Sequence, residues 1–220
     1  MIWDWDFTWE VLPRLLDALI VTVQAALIGF AIAVVLGLAI ALARRSRFWW
    51  LRLPVGAVAE FIRSTPLLVQ LYFLYFVLPA VGIEMTAFTA GVLGLGLHYS
   101  TYTAEVYRAG LDGVPRGQWE AALALDFSPL HTYRAIILPQ AIPPMVPVLG
   151  NYLIAIFKET PLLSAITVLE MMQVAKISGS ETFQYLEPLT IVGLLFLIVS
   201  LISAVLIRQL EKRLNVRHAH

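Results

Sequence analysis

Six polar side chains stand in stretches otherwise built from Leu, Val, Ile, Ala and Phe: Arg63, Gln70, Asn151, Lys158, Glu159 and Thr160. Together they offer both charge signs and neutral hydrogen-bonding groups, a set suited to lining a polar pathway. Glu105 and Arg108, one helical turn apart, read instead as a structural ion pair, and His98 as a hydrogen-bonded packing residue. A charged side chain at the centre of a bilayer costs ~2.5–3.5 kcal/mol on insertion scales, so each needs a partner, water or an interface. Motifs for bond-making chemistry are missing. There is no His-Glu-x-x-His, no Gly-x-Ser-x-Gly and no Gly-x-x-x-x-Gly-Lys-Ser/Thr, and no Cys for thiolate ligands or disulfides. No catalytic residue and no metal ligand set is expected, and any ATP hydrolysis must reside on another chain.

The elements that position these groups follow from composition. Of 220 residues 60% are hydrophobic and 14% charged, with a mean hydropathy of +0.80 and zero net charge. A soluble domain carries about 45–50% apolar and about 25% charged residues, so the surplus here must face lipid. No basic cluster suits nucleic acid. A hydrocarbon core of ~30 Å takes ~20 apolar residues per helix. Five such spans are read over one domain, 1–220: 15–43, 55–79, 86–107, 140–157 and 188–207. A further apolar stretch, 162–174, is too short to cross and carries Glu170, which predicts an interfacial or re-entrant helix. Gly91, Gly94 and Gly96 would permit close helix packing.

Basic residues orient the spans. One side receives Arg44, Arg45, Arg47, Arg52, Arg108, Arg116, Arg134 and a tail with Arg208, Lys212, Arg213 and Arg217. The other receives Asp4, Asp6, Glu10, Glu84, Glu181 and Glu187 against Arg14 and Lys176. The first side is expected to be cytoplasmic, with the N-terminus outside and the C-terminus inside. Trp3, Trp5 and Trp9 fit one interfacial belt, Trp49 and Trp50 the other. The start, Met1-Ile-Trp-Asp-Trp-Asp6, is acidic where a secretory signal is basic, so no cleavable signal is expected.

The polar loop 109–139 reads as two short helices. Pro115 suits a first turn, and Ser128-Pro129 is a start signal with Ser as N-cap and Pro next. Asp126 must reverse the chain between them in a left-handed conformation, which costs Asp roughly 1 kcal/mol. Trp119, Leu123 and Phe127 recur at four-residue spacing as one apolar stripe. The stripe alone fits equally a helix lying on the membrane and a helix docked in a partner's groove.

The register of this loop carries a resemblance. Glu120-Ala121-Ala122, a turn at Asp126, then Ile136, Leu138 and Pro139 resemble the "EAA" loop of ABC-importer permeases, with Asp126 where that family usually has Gly. Glu60-Phe-Ile-Arg-Ser-Thr-Pro-Leu-Leu-Val-Gln70, Tyr102-Thr-Ala-Glu-Val-Tyr-Arg-Ala-Gly110 and Phe157-Lys-Glu-Thr-Pro-Leu-Leu-Ser164 are similar to polar-amino-acid permeases. The runs 149–170 and 185–190 look closest to the ectoine/hydroxyectoine branch. The resemblance implies an all-α integral membrane protein with the ABC type I importer permease fold, resident in the inner membrane. It implies a second permease copy or paralogue, two ATPase subunits that hold ATP and Mg, and an extracytoplasmic substrate-binding protein. Glu120, Ala121, Ala122, Asp126, Ile136, Leu138 and Pro139 would couple to the ATPase. The solute would be zwitterionic, ectoine-like or a polar amino acid. The competing class, a self-sufficient ion-coupled carrier or channel, explains the intramembrane charges but not the helical cytoplasmic joint.

Within the chain, Arg63-Ser-Thr-Pro-Leu-Leu and Lys158-Glu-Thr-Pro-Leu-Leu repeat a basic residue followed by Thr-Pro-Leu-Leu. Each Pro removes a backbone hydrogen bond, which marks two candidate breaks in the helices.

Overall fold

The structure, a computed structural model, describes residues 3–216, so Met1, Ile2 and Arg217 of the sequence reading lie outside it. Helices follow one another throughout: α1 (Trp5–Arg44), α2 (Trp49–Ser64), α3 (Leu67–Tyr72), α4 (Ala87–Asp112), α5 (Arg116–Ala124), α6 (Pro129–His131), α7 (Leu138–Glu159), α8 (Met171–Thr182) and α9 (Leu186–Val216). Among the described residues three helices are long and apolar enough to cross a membrane: Trp5–Arg44, Pro129–Ile166 and Leu186–Arg213. A fourth candidate is the pair Trp49–Ser64 and Leu67–Val81, bent by 104°.

α4 misses the hydropathy of a lipid-facing span, and its packing explains why. Ala90, Gly91, Gly94, Ser100, Thr101, Thr103 and Ala104 are all buried in protein, so small and polar residues replace large apolar ones. α4 runs parallel to α1, whose buried stripe is equally small: Ala18, Thr22, Ala25, Ala26, Gly29, Ala33, Gly37 and Ala41. The backbones approach closely enough for the Thr103 hydroxyl to donate to the Ala33 carbonyl at 2.7 Å and the Tyr107 hydroxyl to the Val34 carbonyl at 3.3 Å. Small residues at such a crossing trade side-chain volume for backbone contact.

Both Thr-Pro-Leu-Leu segments are breaks. Thr65 adopts φ −102°, ψ 134°, the extended conformation forced on a residue before Pro. The Gln70 amide spans the gap, donating to the Ile62 carbonyl at 2.6 Å and the Thr65 carbonyl at 3.0 Å. After Glu159, α7 tightens into a 3-10 segment, Thr160–Ile166, which ends at Thr167 with φ 65°. The stretch 162–174 is therefore not one helix. It is a 3-10 segment, a left-handed turn and the start of α8, and it packs inward: Leu163, Ile166 and Met171 are fully buried in the same core as Leu67 and Leu71. Glu170 caps α8, accepting from the Met172 amide at 2.9 Å and the Gln173 amide at 2.7 Å. Burial pushes its carboxyl up to about 7, against the pull of those two amides.

The helix ends sort by contact. Arg45 pairs with Asp112, which sets the ends of α1 and α4 side by side. At the opposite end the Asp4 amide donates to Glu187 at 2.9 Å and Arg14 meets Glu181 at 3.2 Å, joining the start of α1 to α8 and α9. Asp4 itself caps α1.

The close crossing makes a sharp prediction. A Cβ at Gly37 would stand 1.9 Å from the Thr103 hydroxyl and 2.9 Å from the Ser100 carbonyl, whereas one at Gly193 would meet nothing within 4 Å. Gly37→Ala is expected to destabilise the purified chain by about 1–3 kcal/mol, as overpacking does. Gly193→Ala should be neutral or stabilising by up to ~1 kcal/mol through helix propensity. Thermal unfolding in detergent compares the two directly.

Candidate functional site

The loop between α4 and α7 is a folded joint. α5 begins after Pro115, which takes the N-cap position at φ −54°, ψ 138° and not the first helical residue. Its end is a Schellman arrangement: the Phe127 amide bonds the Ala122 carbonyl at 3.1 Å and the Asp126 amide bonds the Leu123 carbonyl at 3.0 Å. Asp126 sits at φ 53°, the left-handed geometry that this motif requires. The Ser128 hydroxyl then accepts from the His131 amide at 3.4 Å and opens the next helix at Pro129.

That second helix is not short. It continues from Pro129 to Ile166. Pro139 cannot donate to the carbonyl four residues back, and the wider π turn Thr132–Ile137 accommodates the loss without ending the helix.

Side chains of the joint divide between inside and outside. Ala122 and Ile137 are buried, and Ile136 packs on a small core of Leu111, Val114, Ala141 and Met145. Trp119 turns inward, its ring 5.3 Å from Tyr133, while the Gln118 side-chain oxygen accepts from Gln140 at 3.2 Å. The stripe of Trp119, Leu123 and Phe127 is thus not a single face. The exposed apolar set is Leu123, Leu125 and Leu130, at 79%, 65% and 74% exposure. Leu125 and Leu130 escape a periodicity search because they flank the turn, where helical spacing does not apply. Glu120, Ala121, Leu138 and Pro139 lie on the exposed side. Ala122 faces its own chain, so its small size serves packing within the joint.

Above the small core lies a cavity of about 740 Å³, lined by Tyr102, Glu105, Gly110, Gln140, Met145 and Tyr152 among others. Glu105 is the one ionisable carboxylate in its wall, and three guanidiniums converge on it. Arg44 of α1 bonds it directly, Arg108 of α4 approaches at 2.9 Å, and Arg63 of α2 at 3.5 Å. Arg63 also pairs with Glu60. Tyr102 and Tyr152 of the wall form a ring cluster with Tyr99 and His98, with centroid separations of 5.4–5.9 Å. His98 packs there through ring contacts; its Nδ1 makes no hydrogen bond among the described residues.

The six polar candidates do not meet at one place. Arg63 joins the Glu105 group. Asn151 and Lys158 line a separate groove of about 550 Å³ between α7 and α9. Gln70 closes the α2–α3 break. Glu159 reaches toward Tyr99, and Thr160 is fully buried with its hydroxyl on the Phe157 carbonyl at 2.7 Å. Tyr102, Tyr152 and Glu105, which do line the cavity, come from two helices; the one-turn spacing of Glu105 and Arg108 marked their ion pair, but nothing in the sequence marked the cavity.

Comparison with known proteins places this geometry. Residues 33–216 match the family of binding-protein-dependent transport system inner membrane components. A probable amino-acid ABC transporter permease protein of Sinorhizobium fredii is 46% identical, covering 97% of both chains. The glutamine transport system permease protein GlnP of Escherichia coli is 33% identical over 98% of this chain and 100% of its own. A crystal structure of an amino acid ABC transporter with histidines superposes with a TM-score of 0.91 at 36% identity, covering 97% of this chain and 100% of that one. The α4–α7 joint and the fold around it are those of an ABC type I permease, and the chain belongs to the binding-protein-dependent transport system inner membrane component family.

Proposed function

We propose that this chain is the membrane-embedded permease subunit of an ATP-driven amino-acid importer. The observation that carries the reading is the folded joint. It offers exposed apolar side chains, Leu123, Leu125 and Leu130, around the turn between α5 and the helix that opens at Pro129, packed on the small core shared by α4 and α7. A partner's groove would bury those side chains, and movement of the joint would pass to both helices at once. ATP hydrolysis belongs to a separate subunit, since permease components of this family are not enzymes. Glu120, Ala121 and Leu138 would touch that ATPase, while Ala122, Asp126 and Ile136 would hold the joint in shape.

In this reading the chain crosses the inner membrane five times. α4 is the fifth crossing; its 26 residues extend ~39 Å at 1.5 Å per residue. The N-terminus lies outside and the joint inside, because arginines crowd the end shared by α1 and α4. A binding protein delivers solute from outside, and a second copy or paralogue completes the pore. Arg63 lies beside the cavity, and Asn151 and Lys158 line the groove on α7 and α9 that a second subunit would cover. The solute is a small zwitterion. The relatives point to an amino acid, and the runs 149–170 and 185–190 keep ectoine or hydroxyectoine within that class. Uptake into proteoliposomes that requires the ATPase, ATP and the binding protein tests the importer reading; uptake by the chain alone would favour a carrier.

Two further outcomes are expected. The chain has no Cys, so single cysteines report topology. Exposed Glu84→Cys should react with an impermeant maleimide in intact cells, and exposed Arg47→Cys only after permeabilisation; the reverse pattern overturns the orientation. At the turn, Asp126→Gly should keep full uptake, whereas Asp126→Val should cost about 1–2 kcal/mol in the joint and reduce uptake. Loss of uptake with Gly would mean that the Asp126 charge, and not its backbone angle, does the work.

A further inference from the structure

Around Glu105 the charges do not balance. Three guanidiniums, Arg44, Arg63 and Arg108, face two carboxylates, Glu60 and Glu105, which leaves one surplus positive charge beside the cavity. Near an apolar surround a surplus charge is costly and attracts an anion.

Which guanidinium can take that anion follows from the distances. Arg108 grips Glu105 with two contacts, at 2.9 and 3.2 Å, and Arg44 is in direct contact. Arg63 is the loosest at 3.5 Å. If Arg63 leaves, Glu105 keeps two partners and remains neutralised. Glu105, which Arg63 contacts, is part of the cavity wall, so Arg63 stands beside the cavity. Its second partner, Glu60, is 59% exposed and binds it weakly in a wet setting. Arg63 stands, finally, three residues before Pro66, where the α2–α3 bend of 104° begins.

We propose that Arg63 is the residue that receives the solute's carboxylate, exchanging its loose contact with Glu105 for a charge-assisted pair with the bound solute. The inference rests on the importer reading and deepens it. The solute enters the cavity with its carboxylate toward Arg63. Its ammonium is left to the Tyr102 and Tyr152 rings, whose faces attract cations. A planar guanidinium matches a carboxylate in two parallel hydrogen bonds, which Lys cannot reproduce. Occupation would pull Arg63 off α4 and act on the bend just beyond it, so the same contact that selects the carboxylate would signal occupancy.

The test uses the assembled permease–ATPase complex in nanodiscs without its binding protein. Binding of glutamine and of its α-amide, glutaminamide, which lacks the carboxylate charge, is titrated to wild type, Arg63→Gln and Arg63→Lys. The proposal expects wild type to prefer glutamine. It expects Arg63→Gln to weaken glutamine by about tenfold or more while leaving glutaminamide unchanged, with Arg63→Lys in between. Should Arg63→Gln fail to assemble, Arg63→Lys carries the same comparison. Equal weakening of both ligands, or of neither, overturns the proposal, as does absence of glutamine binding in a wild type whose proteoliposomes import glutamine. Separate proteoliposomes containing the binding protein monitor ATP-dependent uptake of glutamine, arginine and ectoine. Failure of all three in the wild type would bring down the importer reading itself, whereas uptake without Arg63 coupling removes only this inference.

Discussion

One carboxylate, Glu105, organises the end of the protein nearest the α4–α7 joint. It gathers arginines from α1, α2 and α4, and so adds to the hydroxyl–carbonyl bonds and the Arg45–Asp112 pair that already join α1 to α4. Van der Waals packing between helices in lipid lacks the hydrophobic drive that water gives, so polar contacts do much to fix register. Here they set the level at which the three helix ends align. The cavity takes Glu105 as part of its wall, and the α4 segment that follows runs directly to the joint. The position of α5, which begins at Arg116, thus follows from an ion-pair group on the last two turns of α4.

The second constraint is the close parallel crossing of α1 and α4. It allows α4 to be poor in large apolar residues, because protein rather than lipid surrounds it. Exposed apolar surface falls instead to α1, α7 and α9, where Leu27, Val35, Ile142, Val148 and Leu194 are exposed. A polar helix packed in protein can then carry Tyr99, Tyr102, Glu105 and Arg108 at modest cost. The breaks at Thr65-Pro66 and Thr160-Pro161 lie next to this pair. Gln70 repairs the first with two hydrogen bonds, and the 3-10 segment and Glu170 cap reorganise the second.

Features fixed by local backbone chemistry were legible from residues alone. Asp126 in the left-handed region, Ser128-Pro129 as a helix start and both Thr-Pro breaks need only the neighbours along the chain. Apolar runs likewise marked α1 and α9, although α1 begins ten residues earlier than its run, at Trp5, because Asp4 caps it. What escaped was set by distance in sequence. Arg44 and Arg63 reach Glu105 across 61 and 42 positions, and only Arg108 shares its helix turn. Periodicity failed at the joint: Trp119 is claimed by Tyr133 on the next helix, while Leu125 and Leu130 surface at a turn. Polarity also misled. Gln70 and Thr160 look like pathway residues, yet both serve backbone carbonyls that the prolines leave without donors or that close a turn.

The central claim is that the Glu105 carboxylate holds the last turns of α1, α2 and α4 as one unit. Amide hydrogen exchange on Glu105→Gln against wild type, in the assembled complex, tests it most directly. The account predicts faster exchange together at the last two turns of α1, α2 and α4, with the α1–α8–α9 end around Asp4 and Glu187 unchanged. Exchange that is unaltered, or that rises only in α4 around the substituted residue, would contradict it.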